Sequence, residues 1–222
     1  MIYDFHTHSF FSDGDLSPIE LIRRAHTQGY AGIAITDHAS PSNLELVLTR
    51  VREDCLVAER AWGITVLVGV ELTHVPAGYI GECVKRARCL GADLVAVHGE
   101  TVVEPVEPGT NRAAILSGID ILAHPGFITE EEARLAKEHQ VFLEISARRG
   151  HSLTNGHVAK LALATGALLL VNSDAHAPED ILTEQFAANV ALGAGLPHAV
   201  LQEVMLDNPL RLLARIRNAR RK

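Results

Sequence analysis

Short apolar runs alternate along most of this chain with longer segments that have helical periodicity. Seven runs have the length and composition of buried strands: IYDFH at 2–6, AGIAIT at 31–36, ITVLVGVEL at 64–72, ADLVAVH at 92–98, GIDILAH at 118–124, VFLEIS at 141–146 and ALLLVNSDAH at 167–176. Parallel strands that are covered on both faces read as continuous apolar runs, and helices connect them. The pattern therefore predicts an α/β fold with parallel strands.

Helical patterns fill the segments between the runs, at 18–29, 44–62, 80–90, 111–116, 129–139 and 154–166. One of them opens with a Thr cap followed by acidic residues, and another closes at Gly166. Beyond Pro178 the sequence predicts helices only, at 184–195, at 198–206 and in the basic tail. We expect a closed or nearly closed (βα)7 barrel in one domain over 1–222, with extra C-terminal helices from about 180 packed on it.

Composition and charge narrow the possible partners. The 222 residues are 47% hydrophobic and carry a net charge of -7, which argues against a general nucleic-acid surface. We interpret the basic tail RLLARIRNARRK as cations that complement the dipole of a final helix.

The three cysteines form neither an even set nor a CxxC pair, and we expect reduced thiols. Without a signal-peptide pattern or a long apolar stretch, we expect a cytoplasmic protein and no membrane partner.

Six of the apolar runs end in His or a carboxylate as their first polar side chains. Because the carboxyl ends of parallel strands lie on one face of the fold, these side chains are expected to converge on one pocket. Alternation along a strand also points His6 and His8 to the same side, as it does Asp174 and His176. The candidates are His6, His8, Asp13, His38, Glu71, His98, His124, Asp174 and His176.

This set favours a polynuclear metal site. The alternative is nine unrelated residues with local hydrogen bonds, but burying so many polar groups unpaired would be costly. Cations compensate the carboxylates, and neutral imidazole is a good ligand for zinc and similar ions. His74 follows Glu71 closely enough to be a possible extra member. His151 also lies in a loop after a strand, whereas the remaining histidines, His26, His139, His157 and His198, fall in helical patterns.

In this order the residues resemble the PHP family, the polymerase and histidinol phosphatase superfamily. The matching motifs are HTH with Asp13, TDH ending at His38, GVE ending at Glu71, AVHGE at His98, AHPG at His124, and SDAH at Asp174 and His176. They cover residues 1 to about 180, and none lies in the helical C-terminus. The resemblance implies a distorted (βα)7 barrel that holds two or three divalent cations (zinc, manganese or iron) for phosphoester hydrolysis.

The resemblance also implies how the ligands divide. By position, one set is His6, His8, Glu71 and Asp174, the second is Glu71, His98 and His124 with Glu71 bridging, and the third is Asp13, His38 and His176. Asp13 stands where some members have His. We count the third set, together with Arg148, as the catalytic residues.

The ISARRGH segment offers a candidate grip for phosphate. Ser146 and Arg148 share a strand face with Glu144, and Arg148 or Arg149 could bind phosphate bidentately. An exposed loop arginine is the simpler interpretation of either residue. The helix that opens at Asn155 and His157 could also face an anion.

The first hypothesis is a metal-dependent phosphatase that uses metal-activated hydroxide on a small phosphorylated metabolite, such as histidinol phosphate or a nucleotide. An alternative is a 3′-5′ exonuclease-like phosphodiesterase. The acidic balance and the aromatic content of 5% disfavour nucleic acid as a partner. A metal-stabilised module without turnover and a metal-dependent amide hydrolase remain further alternatives, the latter disfavoured because no lysine stands at a strand end.

Overall fold

The strands form a parallel sheet that curves into a nearly closed barrel, as the alternation of apolar runs and helices predicts. A computed structural model describes residues 1–220. Its strands are β1 (Ile2–Asp4), β2 (Tyr30–Ile35), β3 (His38–Ala39), β4 (Thr65–Leu72), β5 (Leu94–His98), β6 (Ile121–Ala123), β7 (Phe142–Ser146) and β8 (Leu169–Asn172). Seven of them follow the order β1-β2-β4-β5-β6-β7-β8, and β3 pairs with β4 at the side. The distorted (βα)7 prediction is confirmed.

Strand β3 is the one strand of the described residues that the sequence does not predict. It consists of two residues, and His38 pairs in register with Glu71 of β4. Two residues are too few to show an apolar period, so the pattern could not reveal it. Its pairing brings two of the nine candidates side by side.

The gap between the first and last strands is bridged at their carboxyl ends. Thr7 and Ala175 form an isolated parallel bridge there. The backbone N–H of Asp174 donates to the carbonyl of His6 at 2.9 Å, and that of His8 donates to the carbonyl of Ala175 at 2.8 Å. Three of the candidate ligands, His6, His8 and Asp174, therefore belong to the segments whose backbone hydrogen bonds close the barrel.

Residues 1–220 form eight α-helices that pack against the sheet or close one end of the barrel. They are α1 (Pro18–Thr27), α2 (Leu44–Trp62), α3 (Ile80–Cys89), α4 (Thr110–Leu116), α5 (Glu130–Glu138), α6 (Asn155–Thr165), α7 (Glu184–Gly193) and α8 (Asn208–Ala219). Helix α5 begins with a capping box between Thr129 and Glu132. Helix α6 ends at Gly166, whose φ of 76° suits a residue without Cβ. Both boundaries agree with the sequence prediction.

Helix α8 plugs the amino-terminal end of the barrel. Its Leu212, Leu213 and Ile216 are buried in one cluster with side chains from inside the barrel, among them Phe5 and Phe142. At this end Arg215 Nη2 donates to Asp120 Oδ1 at 2.9 Å and Arg220 Nε donates to Asp93 Oδ1 at 2.6 Å. The C-terminal helix thus completes the core opposite the face where the candidate ligands gather.

Two arginines of the basic tail, Arg215 and Arg220, form ion pairs in addition to lying toward the end of the final helix. They reach carboxylates that precede β5 and β6, which anchors α8 across the barrel floor. Arg221 and Lys222, the last two residues of the predicted basic tail, lie outside the described residues.

The helix predicted at 198–206 is present in distorted form. A 3-10 turn at His198–Val200 leads into a π-helical segment at Glu203–Asp207, which continues into α8. Asn208 and Pro209 follow in the first turn of α8. Because proline has no backbone N–H and its ring clashes with the carbonyl four residues earlier, the regular α-helical hydrogen bonding is interrupted in the turn before it. Pattern alone predicts the helix but not this distortion.

Two further sequence expectations concern thiols and membranes. Cys55, Cys83 and Cys89 are all free. Across residues 1–220, every helix is too short or too polar to traverse a lipid bilayer.

Candidate metal centre

The nine candidate residues converge at the carboxyl ends of the strands. Successive side chains of a strand point to alternate sides, and this directs some of the candidates into the barrel. In β5, Leu94 and Ala96 face the barrel interior, and His98 follows on the same side. Six of the nine are almost fully buried, and the other three lie toward the mouth: Asp13 is exposed, and His38 and His176 are half-buried.

Ligand-type atoms of these residues form four overlapping groups in which all atoms lie within 4.8 Å of one another. The groups are His6, His8 and Glu71; His6, His124 and Asp174; Glu71, His98 and His124; and His8, Asp13, His38 and His176. The residues expected as the second ligand set lie together in one group. Those expected as the third set lie together with His8, and those expected as the first set fall into two groups that share His6.

Glu71 lies at the centre of the cluster. Its Oε1 is 3.5 Å from His6 Nε2, 3.3 Å from His98 Nδ1 and 3.5 Å from His124 Nε2. Its Oε2 is 2.7 Å from His38 Nδ1. A carboxylate that faces imidazoles on both of its oxygens has the position of a bridging ligand.

Two further carboxylates, those of Asp174 and Asp13, also lie close to imidazole rings. Asp174 Oδ1 is 3.3 Å from His8 Nε2 and 3.7 Å from His6 Nε2. Asp13 Oδ1 is 3.1 Å from His176 Nε2 and 3.5 Å from His38 Nε2. Both carboxylates therefore lie where a cation between the rings would need a negative ligand.

The backbone is strained at two of these positions. His124 and Asp174 have φ values of 26° and 55°, in the left-handed region that non-glycine residues rarely adopt. Such conformations cluster at functional sites, where surrounding structure holds them. The glycine of the AHPG motif is also explained, because a Cβ on Gly126 would lie 1.7 Å from the carbonyl oxygen of Glu100.

Unpaired buried atoms show that the residues fit cations. Within residues 1–220, eight buried side-chain N or O atoms lack a hydrogen-bond partner, and seven of them belong to this cluster: His6 Nε2, both ring nitrogens of His8, Glu71 Oε1, both ring nitrogens of His98, and His124 Nδ1. Unsatisfied buried polar groups are costly and call for an explanation such as an ion. Nitrogen and oxygen ligands without thiolate suit zinc, manganese or iron.

Burial and neighbouring charge oppose each other in the electrostatics of the cluster. Burial by itself would raise the pKa of Glu71, but His6 and His38 hold it well below its usual range. Burial lowers the pKa of His8 well below its ordinary value, and His38 adds to this effect. Burial also raises the pKa of the Asp174 carboxyl. Glu71 and His8 are therefore in the protonation states that metal ligands need, whereas a cation would have to offset the cost of burying the Asp174 carboxylate.

The family profile for the PHP domain matches residues 4–164. The chain belongs to the PHP family. An uncharacterized protein of Methanocaldococcus jannaschii is 50% identical over 97% of this chain and 100% of its own length. A protein of Thermoanaerobacter sp. named a probable phosphatase is 28% identical over 88% of this chain and 87% of its own. Family membership and the phosphatase-named relative support a metal-dependent phosphoesterase activity, and thus a hydrolase.

Solved structures share the fold of this PHP chain at low identity. A candidate metal-dependent phosphoesterase from Bifidobacterium adolescentis superimposes with a TM-score of 0.51 at 14% identity, covering 89% of this chain and 97% of its own. A Xaa-Pro dipeptidase superimposes with a TM-score of 0.62 at 15% identity, covering 98% and 75%. At these identities the likeness shows the barrel fold alone.

Glu144 is a residue of this PHP site to which the sequence analysis gave no role. Its Oε2 lies 2.7 Å from His6 Nδ1 and accepts from Asn172 Nδ2 at 2.9 Å, while Oε1 accepts from the backbone N–H of His124 at 3.3 Å. This places the His6 proton on Nδ1 and leaves Nε2 free toward Glu71. The signal was a single carboxylate within the apolar strand VFLEIS.

Replacing Glu144 with Gln is expected to weaken metal binding by about 10- to 100-fold. A Gln amide offers one acceptor oxygen, so its NH2 group must face either the His6 and Asn172 donors or the His124 N–H. Metal affinity of chelator-treated protein, measured by calorimetry, checks this. Glu138→Gln, at the exposed end of α5, is the matched control. Equal affinities in Glu144→Gln and wild type would contradict the orienting role.

Asp4 is another buried carboxylate, at the end of β1, close to where the first and last strands of the barrel meet. Burial raises its pKa to about 6 from 3.8, although the Ser173 backbone N–H donates to Oδ1 at 3.1 Å. Because the folded-state pKa exceeds the unfolded one, this residue's contribution to stability is complete below about pH 4 and is lost as pH rises through about 6. The loss is about 3 kcal/mol.

The variant Asp4→Asn should therefore gain about 3 kcal/mol relative to wild type between pH 4 and pH 7.5. An Asn oxygen still accepts from Ser173, and the amide avoids the desolvated charge. Urea unfolding at both pH values measures the free energy of unfolding of each protein. A contribution from metal binding is common to both proteins and cancels in the difference between them. Parallel stability profiles would show that Asp4 is not the titrating group.

Of the two arginines expected to bind phosphate, Arg148 lies beside Asp174 at the edge of the PHP site. Arg148 Nη1 donates to the backbone carbonyl of Asp174 at 3.2 Å, and its Nε is 3.8 Å from Asp174 Oδ2. Arg149 is exposed. The side chain of Asn155 exchanges hydrogen bonds with the backbone of Ser146 and thereby holds the end of β7.

Two loop histidines lie beside the nine. His151 Nδ1 is 2.7 Å from Thr101 Oγ1, and burial together with His124 lowers the pKa of His151 to about 3. Its ring stacks on His124 with centroids 4.0 Å apart. His74, the possible extra residue, lies outside the inner groups but joins His98 and Glu104. Sequence offered no signal for Glu104, which is one of several acids in its loop.

Proposed function

We propose that this PHP-family chain hydrolyses phosphate monoesters of small metabolites, in the class of histidinol phosphate or a nucleotide, with two or three divalent cations of zinc, manganese or iron. The observation that carries the proposal is the group of unpaired buried imidazole and carboxylate atoms at one end of the barrel. Family membership and the phosphatase-named relative support the reaction type.

Bound divalent cations supply Lewis-acid chemistry, since they activate water near neutral pH and neutralise charge on phosphoryl oxygens. In the proposal, Glu71 is the shared ligand, and the inner sets are completed by His6, His8, His98, His124 and Asp174. Asp13, His38 and His176 form the third set. Their position nearer the mouth favours contact with solvent and with the substrate phosphate.

Arg148 is proposed to bind the phosphate group. Its guanidinium is about one-third exposed and lies beside Asp174, at the edge of the cluster. A planar guanidinium there can donate two parallel hydrogen bonds to phosphoryl oxygens and orient the ester toward the cations. The free cysteines support a reducing, cytoplasmic location as part of the same proposal.

A panel of phosphoesters tests the function with the purified full chain. We expect phosphate release from an aryl phosphate and from small metabolite monoesters, abolished by chelator and restored by manganese, zinc or iron. Faster degradation of labelled single-stranded DNA than of monoesters would replace the proposal with the exonuclease-like alternative. A metal-loaded protein inert toward the whole panel would favour a module without turnover.

A further inference from the structure

A second cluster of metal-type side chains, at the mouth of the barrel, joins one of the nine residues, His98, to two residues outside them, His74 and Glu104. His74 follows β4, and Glu104 belongs to the loop that follows β5. Glu104 Oε2 is 3.4 Å from His74 Nε2 and 3.1 Å from His98 Nε2. The Glu104 carboxylate thus faces two imidazoles. His74 is outside the expected ligand sets, whereas His98 belongs to one of them and directs its outer nitrogen at Glu104.

His98 has both ring nitrogens directed at carboxylates. Nδ1 is 3.3 Å from Glu71 Oε1 on the inner side, and Nε2 is 3.1 Å from Glu104 Oε2 on the outer side. The side chain is 2% exposed, and neither nitrogen makes a hydrogen bond. An unpaired, buried Nε2 directed at a carboxylate leaves room for a cation between the two atoms.

Distances among the donor atoms match metal coordination. Bonds of about 2.0–2.1 Å in a tetrahedral zinc site separate neighbouring ligand atoms by about 3.3–3.4 Å. The two outer separations are 3.1 and 3.4 Å, close to the 3.3 and 3.5 Å that relate Glu71 to the rings of His98 and His124. Suitable atoms of the three outer residues all lie within 4.8 Å of one another.

We propose that His74, Glu104 and Nε2 of His98 form a further divalent-cation site at the barrel mouth, suited to a zinc-class ion. The cation takes the place of the Nε2 proton, which leaves to water, and His98 then lies between an inner and an outer cation. Because this binding displaces a proton and uses two partly exposed residues, the outer site is weaker than the inner ones.

A simpler role for Glu104 leads to a different prediction. If Nδ1 of His98 binds an inner cation and Nε2 keeps its proton, Glu104 only orients the ring, as carboxylates commonly do for metal-bound histidines. His74 then has no part in metal binding. The two arrangements are therefore separated by the effect of replacing His74.

Zinc titration of the chelator-treated full chain tests the proposal, with bound zinc counted by equilibrium dialysis and elemental analysis. The variants are His74→Asn and Glu104→Gln. Asn is chosen because His74 has a φ of 50°, which Asn tolerates well. Glu107→Gln is the control in the same loop, since its amide oxygen can still accept from the Ala77 backbone N–H.

Wild type and Glu107→Gln are expected to bind one more zinc, in a weaker class, than His74→Asn and Glu104→Gln. In both variants that class should weaken at least about 10-fold or vanish, while the tight equivalents remain. Equal zinc number and affinity in wild type and His74→Asn would overturn the proposal, as would an effect of Glu104→Gln confined to the tight class. Because the readout is binding, loss of the weak class in a protein without phosphatase activity would reject the proposed function and leave this site standing.

Discussion

Replacement of Glu71 by Gln is expected to lower phosphoester hydrolysis by about 10³-fold or more, a loss of roughly 4 kcal/mol of transition-state stabilisation. Glu71 is fully buried and faces His6, His38, His98 and His124. The amide keeps the shape of the side chain but removes the charge and one acceptor oxygen, so the two groups that contain Glu71 lose the ligand they share.

The measurement is kcat/KM for an aryl phosphate together with metal content per chain. Glu82→Gln, at an exposed position of α3, removes the same charge far from the cluster and should leave both quantities unchanged. Undiminished activity of Glu71→Gln with a full complement of metal would refute a shared ligand at this position. If wild type itself shows no hydrolysis, metal content alone still decides whether Glu71 binds cations.

Leu212→Ala is expected to destabilise the fold by about 2–5 kcal/mol. Leu212 is 0% exposed and belongs to the cluster that joins α8 to the barrel interior. Truncation removes buried methyl groups and leaves a cavity between α8 and the barrel floor that the surrounding strands cannot refill. A protein of this length should then melt about 5–15 °C lower.

Leu210→Ala in the same helix is the matched control. Leu210 is 46% exposed, and its replacement should change stability by no more than about 0.5 kcal/mol. Both substitutions change the intrinsic helix propensity by the same amount. The difference between their stabilities therefore measures the packing of α8 against the barrel interior. Equal melting temperatures for the two variants would show that α8 does not contribute to the barrel core.

Local sequence was sufficient where the structural signal is local. The capping box of Thr129 and the positive φ of Gly166 depend on neighbouring residues alone, and the helix boundaries followed from them. Strand β3 and the π-helical segment at Glu203–Asp207 did not follow, because the first depends on pairing with β4 and the second on how Pro209 interrupts a longer helix.

The candidate site shows the same division. All nine residues could be named as candidates from the sequence: eight because they follow apolar runs whose ends mark the strand ends, and Asp13 with the motif that begins at His6. The contact of Glu144 could not, since it reaches across the fold to His6, 138 residues away. Glu104 could not be singled out either, because its loop holds other acids and only the structure shows which of them faces His98.

By itself, the sequence determined the barrel class and the order in which His and carboxylate residues arrive at one face, since apolar periodicity and strand direction are local properties. Tertiary structure alone decided that His8 joins two groups, that Glu144 directs His6, and that α8 closes the opposite end. These features depend on distances between segments that the chain connects only through closure of the barrel, and no local pattern encodes such distances.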